Sequence, residues 1–458
     1  MKPQKIVFIL GAGFSVDAGG PKQNEILGGI LESNSSAELK NFITSVFGHN
    51  TDIPLEDVYT SLDRAIIRNE SLRQYPVDEL LLLRDKFEIE VAKYFAKLLN
   101  RHDINKTYID RFAQILIKWR VEAEQTKKDK IAVISTNWDL LLDNSLGSEM
   151  QTNRQLCWQN EKRQVWIDYC VMDKQMSDDV EIPSSLTIKA RGLTNFKLLK
   201  IHGSLNWLKC PNCDSLFVEF GTKLASNIES GSYKCRLCTD DPKKFSRLKP
   251  FLASPTFMKD LSNVHYKSIW WNAGFELNEA THIVFVGYSF PFADYEFRNL
   301  LARHVDSKTK IKIVTYCEDE REFQDICKRY IDFFGRRVNQ NDVSNIRAMD
   351  YFLTLPENYQ LYIRSLGTLD QRIPAQSNAD ELIRFRKGTG PTTKIGYMNK
   401  NHQMCYGTLG VRGTDHLQYA FQVECQLCGF VYGANGTDIA DRLCPECQGG
   451  RPGIRYWK

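Results

Sequence analysis

Ile6-Val7-Phe8-Ile9-Leu10 runs directly into Gly11-Ala12-Gly13-Phe14-Ser15-Val16-Asp17-Ala18-Gly19-Gly20-Pro21. The first five residues are all apolar, mostly β-branched or aromatic, and glycine ends the run. Such a run predicts a short strand buried on both faces, as in a parallel sheet. Gly11 and Gly13 predict a tight turn where a ligand can approach the backbone. A strand, a glycine turn and a helix start make a common cradle for a nucleotide pyrophosphate. The third glycine of the usual fingerprint would fall at position 16, where this chain has Val16.

Three later apolar runs end in the same way. Ile131 to Ser135 leads into Thr136-Asn137-Trp138-Asp139, and Phe196 to Ile201 leads into His202-Gly203-Ser204. His282 to Val286 leads into Gly287-Tyr288-Ser289-Phe290-Pro291, and Ile311 to Tyr316 reads as a last strand at the sheet edge. In a doubly wound sheet the carboxyl ends of the strands line the ligand crevice. Glycine or polar motifs at four such ends therefore imply one shared site. The predicted class is α/β, with a doubly wound, Rossmann-like parallel sheet.

Residues 22 to about 128 read as a long helical insert, with Glu79–Leu99 and Tyr108–Glu124 repeating apolar residues three and four apart. Ser262 to Asn278 predicts another helix, with Trp270 and Trp271 on its packing face. Residues 144 to 195 are polar and irregular, and 321 to 392 read as a helical connector and linker.

Eight of the 13 cysteines fall in four Cys-x-x-Cys pairs. Cys210, Cys213, Cys235 and Cys238 form one set, within a module spanning about 208 to 245. Cys425, Cys428, Cys444 and Cys447 form the other, within a zinc-ribbon-like module at 393 to 458. Four thiolates on two short knuckles suit tetrahedral zinc in a closed, structural site. Two structural zinc ions are expected. The tail Gly449 to Lys458 is basic with aromatics, and could serve nucleic acid, a docking protein or stability alone.

With 458 residues and a net charge of +4, the chain is long enough for a large core and has no strong overall field for nucleic acid or anionic lipid. No apolar run approaches the roughly 18 residues that span a bilayer, and no signal peptide is evident, so a cytoplasmic location is predicted.

The opening Gly-Ala-Gly-x-Ser-x-x-Ala-Gly-x-Pro resembles that of the sirtuins, the NAD-consuming silent-information-regulator family. Gly11, Ala12, Gly13, Ser15, Ala18, Gly19 and Pro21 fall on that pattern. Thr136-Asn137-Trp138-Asp139 resembles the sirtuin Thr-Gln-Asn-Ile-Asp motif, and His202-Gly203 the catalytic His-Gly. Gly287 and Ser289 keep two positions of the Gly-Thr-Ser segment, and the first cysteine set stands where sirtuins carry a zinc module. The resemblance covers roughly residues 1 to 320. It implies His202, Asn137 and Asp139 as catalytic residues. It further implies that Gly11, Ala12, Gly13, Ser15, Gly19, Thr136, Gly287 and Ser289 bind NAD, here a substrate.

Two departures bear on the reaction. Deacylases of the family continue the opening proline with Asp-Phe-Arg, where this chain has Lys22-Gln23-Asn24, and their Phe-Gly-Glu beyond the zinc module is absent. The resemblance is therefore to the divergent branch, in which water attacks the ribose and bacterial members serve anti-phage defence. It implies an NAD hydrolase restrained by oligomerisation or by a partner such as a ring ATPase. A protein deacylase and a non-catalytic nucleotide-sensing subunit are the alternative readings.

Overall fold

A computed structural model describes residues 4–32, 37–48, 53–99, 104–124, 129–152, 157–158, 161–162, 164–171, 173–175, 193–218, 233–235, 237–238, 246–253, 256, 259, 261–367, 388–415, 418–425 and 430–456. The chain divides into two compact units, Met1–Leu355 and Pro356–Lys458.

The first unit begins with β1 (Ile6–Leu10) and a single helical turn, α1 (Gly13–Val16). The insert follows as α2 (Gln23–Leu31), α3 (Ala37–Phe47), α4 (Leu55–Arg68), α5 (Val77–Leu99) and α6 (Thr107–Glu124). Next come β2 (Ile131–Ser135), α7 (Leu141–Thr152), β3 (Gln164–Asp168) and β4 (Leu193–Lys200). The chain then forms β5 (Gly203–Lys209), β6 (Leu216–Val218) and β7 (Lys249–Leu252) beside the first cysteine set. It returns through α8 (Val264–Glu279), β8 (His282–Val286), α9 (Tyr295–His304), β9 (Lys310–Thr315), α10 (Glu320–Phe334), β10 (Val343–Asn345) and α11 (Ala348–Leu353).

Seven strands pair in parallel in the order β10-β9-β8-β1-β2-β4-β3. Every residue of β1, β2 and β8 is buried, whichever face it points to, so helices cover both sides. Phe8 meets Phe112 of α6 at 5.0 Å, and Phe112 meets Phe352 of α11 at 4.1 Å. The chain leaves β1 toward β2 and later returns to β8 on the other side, so the topology switches between β1 and β8. At such a point the two following loops separate and leave a crevice at the carboxyl ends.

The insert has a core of its own, built from Leu39, Phe42, Leu55, Val58, Leu62, Leu80, Phe87 and Val91 and continuous with Leu140, Leu205 and Leu252. Residues 143 to 168 and 320 to 345 hold features the pattern reading did not separate. The polar stretch before 195 contributes edge strand β3, and β10 lies outside β9, so the Ile311 to Tyr316 run is one strand in from the edge. Trp270 donates to Ile201 O at 3.0 Å and packs as expected. Trp271 instead lies 71% exposed, stacked edge-on against Phe275 one turn along α8. Adjacent helical residues are about 100° apart, so the two tryptophans cannot share one packing face.

The second unit contains α12 (Tyr359–Gly367) and an antiparallel sheet of β11 (Gln403–Gly407), β12 (Ala420–Cys425) and β13 (Val431–Asn435). Cys405, Phe421, Val423, Tyr432 and Ile439 form its small core. Among the described residues, no helix is long and apolar enough to cross a membrane.

Candidate active site

The turns after β1 and β8 are packed backbone to backbone. Gly11 N donates to Val286 O at 3.0 Å and Gly13 N to Gly287 O at 2.8 Å. A Cβ on Gly11 would lie 2.5 Å from Tyr288 Cα. Gly287 has φ +62, and a Cβ there would lie 2.2 Å from Phe14 N. The glycines at these ends are therefore required by the contact between two turns. The N–H groups of Gly13, Phe14 and Ser15 all donate within the protein, so the turn presents exposed Ala12 to the cleft.

The loop after β2 ties into the same turn. Thr136 N donates to Leu10 O at 2.9 Å, and Asn137 Nδ2 donates to Gly11 O at 2.9 Å and to Ser15 Oγ at 3.3 Å. Ser15 Oγ donates in turn to Asp139 Oδ2 at 2.7 Å, and Asp139 Oδ1 accepts Leu141 N at the start of α7. Burial pushes the Asp139 carboxyl above its ordinary value, against the pull of Lys200 and the Ser15 hydroxyl. Lys200 reaches the Asp139 carbonyl and, at 3.1 Å, Asp143.

His202 follows β4. Its Nδ1 is 3.2 Å from Thr136 O and its Nε2 is 3.0 Å from Asp294 Oδ1. Gly203 has φ +80, and a Cβ there would stand 2.2 Å from Phe251 O, so glycine is needed to turn the chain from the parallel sheet into β5. Trp138 Nε1 donates to His202 O at 3.1 Å and fixes that backbone. Asp294 also accepts Tyr288 Oη at 2.7 Å and Lys259 Nζ at 3.1 Å. Burial alone would raise this carboxyl, but His202, Lys259 and the tyrosine hydroxyl outweigh it and hold Asp294 well below the usual carboxylate range.

These groups open on one cleft of about 1130 Å³. Ala12, Gly13, Ser15, Thr136, Asn137, Asp139, His202, Gly287 and Ser289 all line it. Gly11 is buried behind it. Gly19 lies outside its wall, exposed with φ +81 in the turn that ends α1. Asp294, Lys259 and Glu56 also line it and were not among the predicted site residues. Glu56, bonded to Gln23, is pushed up by burial. None of the three stands in a glycine or His-Gly motif. The one available signal was Asp294 following the fourth strand-end motif closely.

The first cysteine set does not line this cleft. Cys210, Cys213, Cys235 and Cys238 converge with their sulfurs within 4.8 Å of one another. Sγ···Sγ separations of 3.1, 3.5 and 3.6 Å are close to the spacing of about 3.8 Å across a tetrahedron with 2.3 Å Zn–S bonds. The Asn212 and Leu237 amides each donate to the sulfur two residues earlier at 3.4 Å. This donor set fits zinc. In the second unit Cys425, Cys444 and Cys447 also converge, with Cys425 and Cys447 sulfurs 3.7 Å apart. Cys428, the fourth predicted ligand, lies outside the described residues.

No protein-family model matches the chain, and no curated protein matches it. Among solved structures it is similar to Sir2Tm bound to a propionylated peptide, with 11% identity over 77% of this chain and 91% of that one and a TM-score of 0.35. It is similar also to a structure described as the basis for the mechanism and regulation of Sir2 enzymes (12% identity, 80% and 93% covered, TM-score 0.34). A third is Sir2 in complex with the inhibitor EX-527, 2'-O-acetyl-ADP-ribose and a deacetylated p53 peptide (13%, 77% and 92%, TM-score 0.32). Values this low carry no function across.

Proposed function

We propose that this chain is a sirtuin-like NAD hydrolase that releases nicotinamide and ADP-ribose. One observation carries the reading. Ala12, Gly13 and Ser15, Asn137–Asp139, His202 and Gly287 come from four separate stretches of sequence, yet they meet at the carboxyl ends of neighbouring parallel strands around one cleft. Its volume exceeds that of pockets for drug-sized ligands, about 300–1,000 Å³, and leaves room for a dinucleotide. Lys22 and Arg347 on its wall are suited to a diphosphate.

The chemistry asks little of the protein. Breaking the bond between the ribose carbon and the nicotinamide nitrogen sends the electron pair to the ring, which leaves neutral and needs no acid. The ribose carbon becomes oxocarbenium-like, and water adds to it. For His202 to act as general base it keeps its Nε2–H on Asp294 and frees Nδ1 from the Thr136 carbonyl, the longer of its two contacts at 3.2 Å; Nδ1 then takes the proton lost by the water and passes it to solvent. Asn137, held by Gly11 and Ser15, can orient the ribose or the water. Asp139 anchors that network through Ser15. Zinc, when bound by the four clustered thiolates, supplies structural crosslinking away from the cleft.

Hydrolysis is favoured over acyl transfer by the insert, which brings Ile53, Leu55, Glu56 and Phe95 to the cleft wall. Asp139 and Asp294 place carboxyl groups beside the cleft where positive charge develops. We extend the reading to a regulated effector of bacterial anti-phage defence, acting in the cytoplasm and gated by self-assembly or a protein partner. Nucleic acid is a candidate ligand of the second unit.

Incubation with NAD, without acylated peptide, tests the reading. Nicotinamide and ADP-ribose should appear with the wild type and not with His202→Ala. Turnover that depends on an acetylated peptide would replace the hydrolase with a deacylase. Silence under both conditions, with NAD still bound, would favour a sensing subunit.

A further inference from the structure

Asp294 closes the loop after β8, 92 residues from His202 in sequence, and is 4% exposed. Its carboxylate is held by Tyr288 Oη on one oxygen and by Lys259 Nζ and His202 Nε2 on the other. Its own N–H is donated to Pro291 O at 3.2 Å. A carboxylate tied this way keeps one position, and a ring bonded to it keeps one plane. On its other edge the ring meets the Thr136 carbonyl, which can only accept. The imidazole is thus clamped between the loops that follow β2 and β8.

We infer that Asp294 is the positioning residue for His202, fixing the ring's orientation and supplying the negative charge that balances the imidazolium formed when His202 takes a proton. For its reaction the inference rests on the hydrolase reading; for the clamp it rests on geometry alone. Thr136 O and Asp294 both only accept, so a ring acting as base keeps its Nε2–H on Asp294, frees Nδ1 from the Thr136 carbonyl and takes the proton of the attacking water there before passing it to solvent; Asp294 neither gains nor loses one. Tyr288 and Lys259 act on Asp294 and through it on the ring.

The test compares Asp294→Asn, Asp294→Glu and the charge-balanced pair Asp294→Asn with Lys259→Met, which spares the ammonium from burial without its partner. Two measurements are made on each full-length protein: steady-state NAD cleavage, and the ring-nitrogen NMR signals of ¹⁵N-histidine-labelled protein, assigned to His202 by His202→Gln. The expected result is a fall in kcat of about 10²–10⁴-fold for both asparagine variants, the range general acid–base groups supply. KM should change less than about threefold, Asp294→Glu should recover part of kcat, and the His202 signals should move in both asparagine variants. An unchanged kcat in a folded asparagine variant overturns the inference. So do unchanged His202 ring signals. If the wild type does not cleave NAD but the His202 signals still respond to Asp294→Asn, the hydrolase reading fails and the clamp stands.

Discussion

Replacing Gly287 by alanine should damage this protein more than the same change at any open glycine of the same unit, and Gly19 provides the comparison. Both have positive φ, +62 and +81, a region that costs an L-residue about 1–2 kcal/mol. Around Gly19 an added Cβ meets nothing within 4 Å, so Gly19→Ala should lose only that amount. At Gly287 the Cβ would lie 2.2 Å from Phe14 N, 2.3 Å from Gly13 C and 2.6 Å from Gly13 Cα. Ordinary contacts begin near 3.4 Å. The obstructing atoms are backbone, so the two turns must separate by roughly 1 Å, adding about 1–3 kcal/mol of overpacking. Gly287→Ala should therefore lose about 2–5 kcal/mol in total. Its second effect is on the site, since a displacement of that size can cost about 10²-fold in rate. Thermal unfolding of both variants, beside NAD cleavage, reads both effects. A Gly287→Ala protein as stable as Gly19→Ala, with wild-type NAD cleavage, would refute the argument that the two turns must touch.

Ser15→Ala removes a donor from buried Asp139 and a partner from Asn137, and should destabilise by about 1–3 kcal/mol. Ser289→Ala, at an exposed position in the same cleft, should stay within about 0.5 kcal/mol, so equal denaturation midpoints for the two would contradict the network. Burial, with Lys310 adding to it, lowers the His282 pKa to about 4, so from pH 6.5 down to 4 the unfolded chain binds the extra proton. The stability due to neutral His282 is complete above 6.5 and is lost as pH falls through that window, by ~3 kcal/mol at most. A His282→Gln variant should flatten this part of the stability–pH curve, and an unchanged slope would remove His282 as its source. Elemental analysis should find two zinc ions per chain, and Cys235→Ser should lower the melting temperature and the zinc content by one ion. Full metal occupancy in that variant would contradict the four-sulfur site.

The elements legible in sequence were those whose cause is local. A five-residue apolar run buried on both faces is recognisable by itself, and β1, β2 and β8 lie where the runs of Ile6, Ile131 and His282 placed them. Knuckle spacing likewise announced the four cysteines that converge at Cys210 to Cys238. The edge strands were not legible. Gln164–Asp168 and Val343–Asn345 are short or polar, and each becomes a strand because a neighbour offers it a hydrogen-bonding edge.

The strand-ending motifs, taken alone, put Gly11, Asn137, His202 and Gly287 at one end of the sheet, because a parallel sheet brings every carboxyl end to one side. Tertiary structure alone decided which side chains meet there. Ser15 bonds Asp139 across 124 residues and His202 bonds Asp294 across 92. Gly287 needs its missing side chain because Phe14 lies against it. Spacing along a chain reports periodicity and local turns. It does not report a contact made by packing one loop on another.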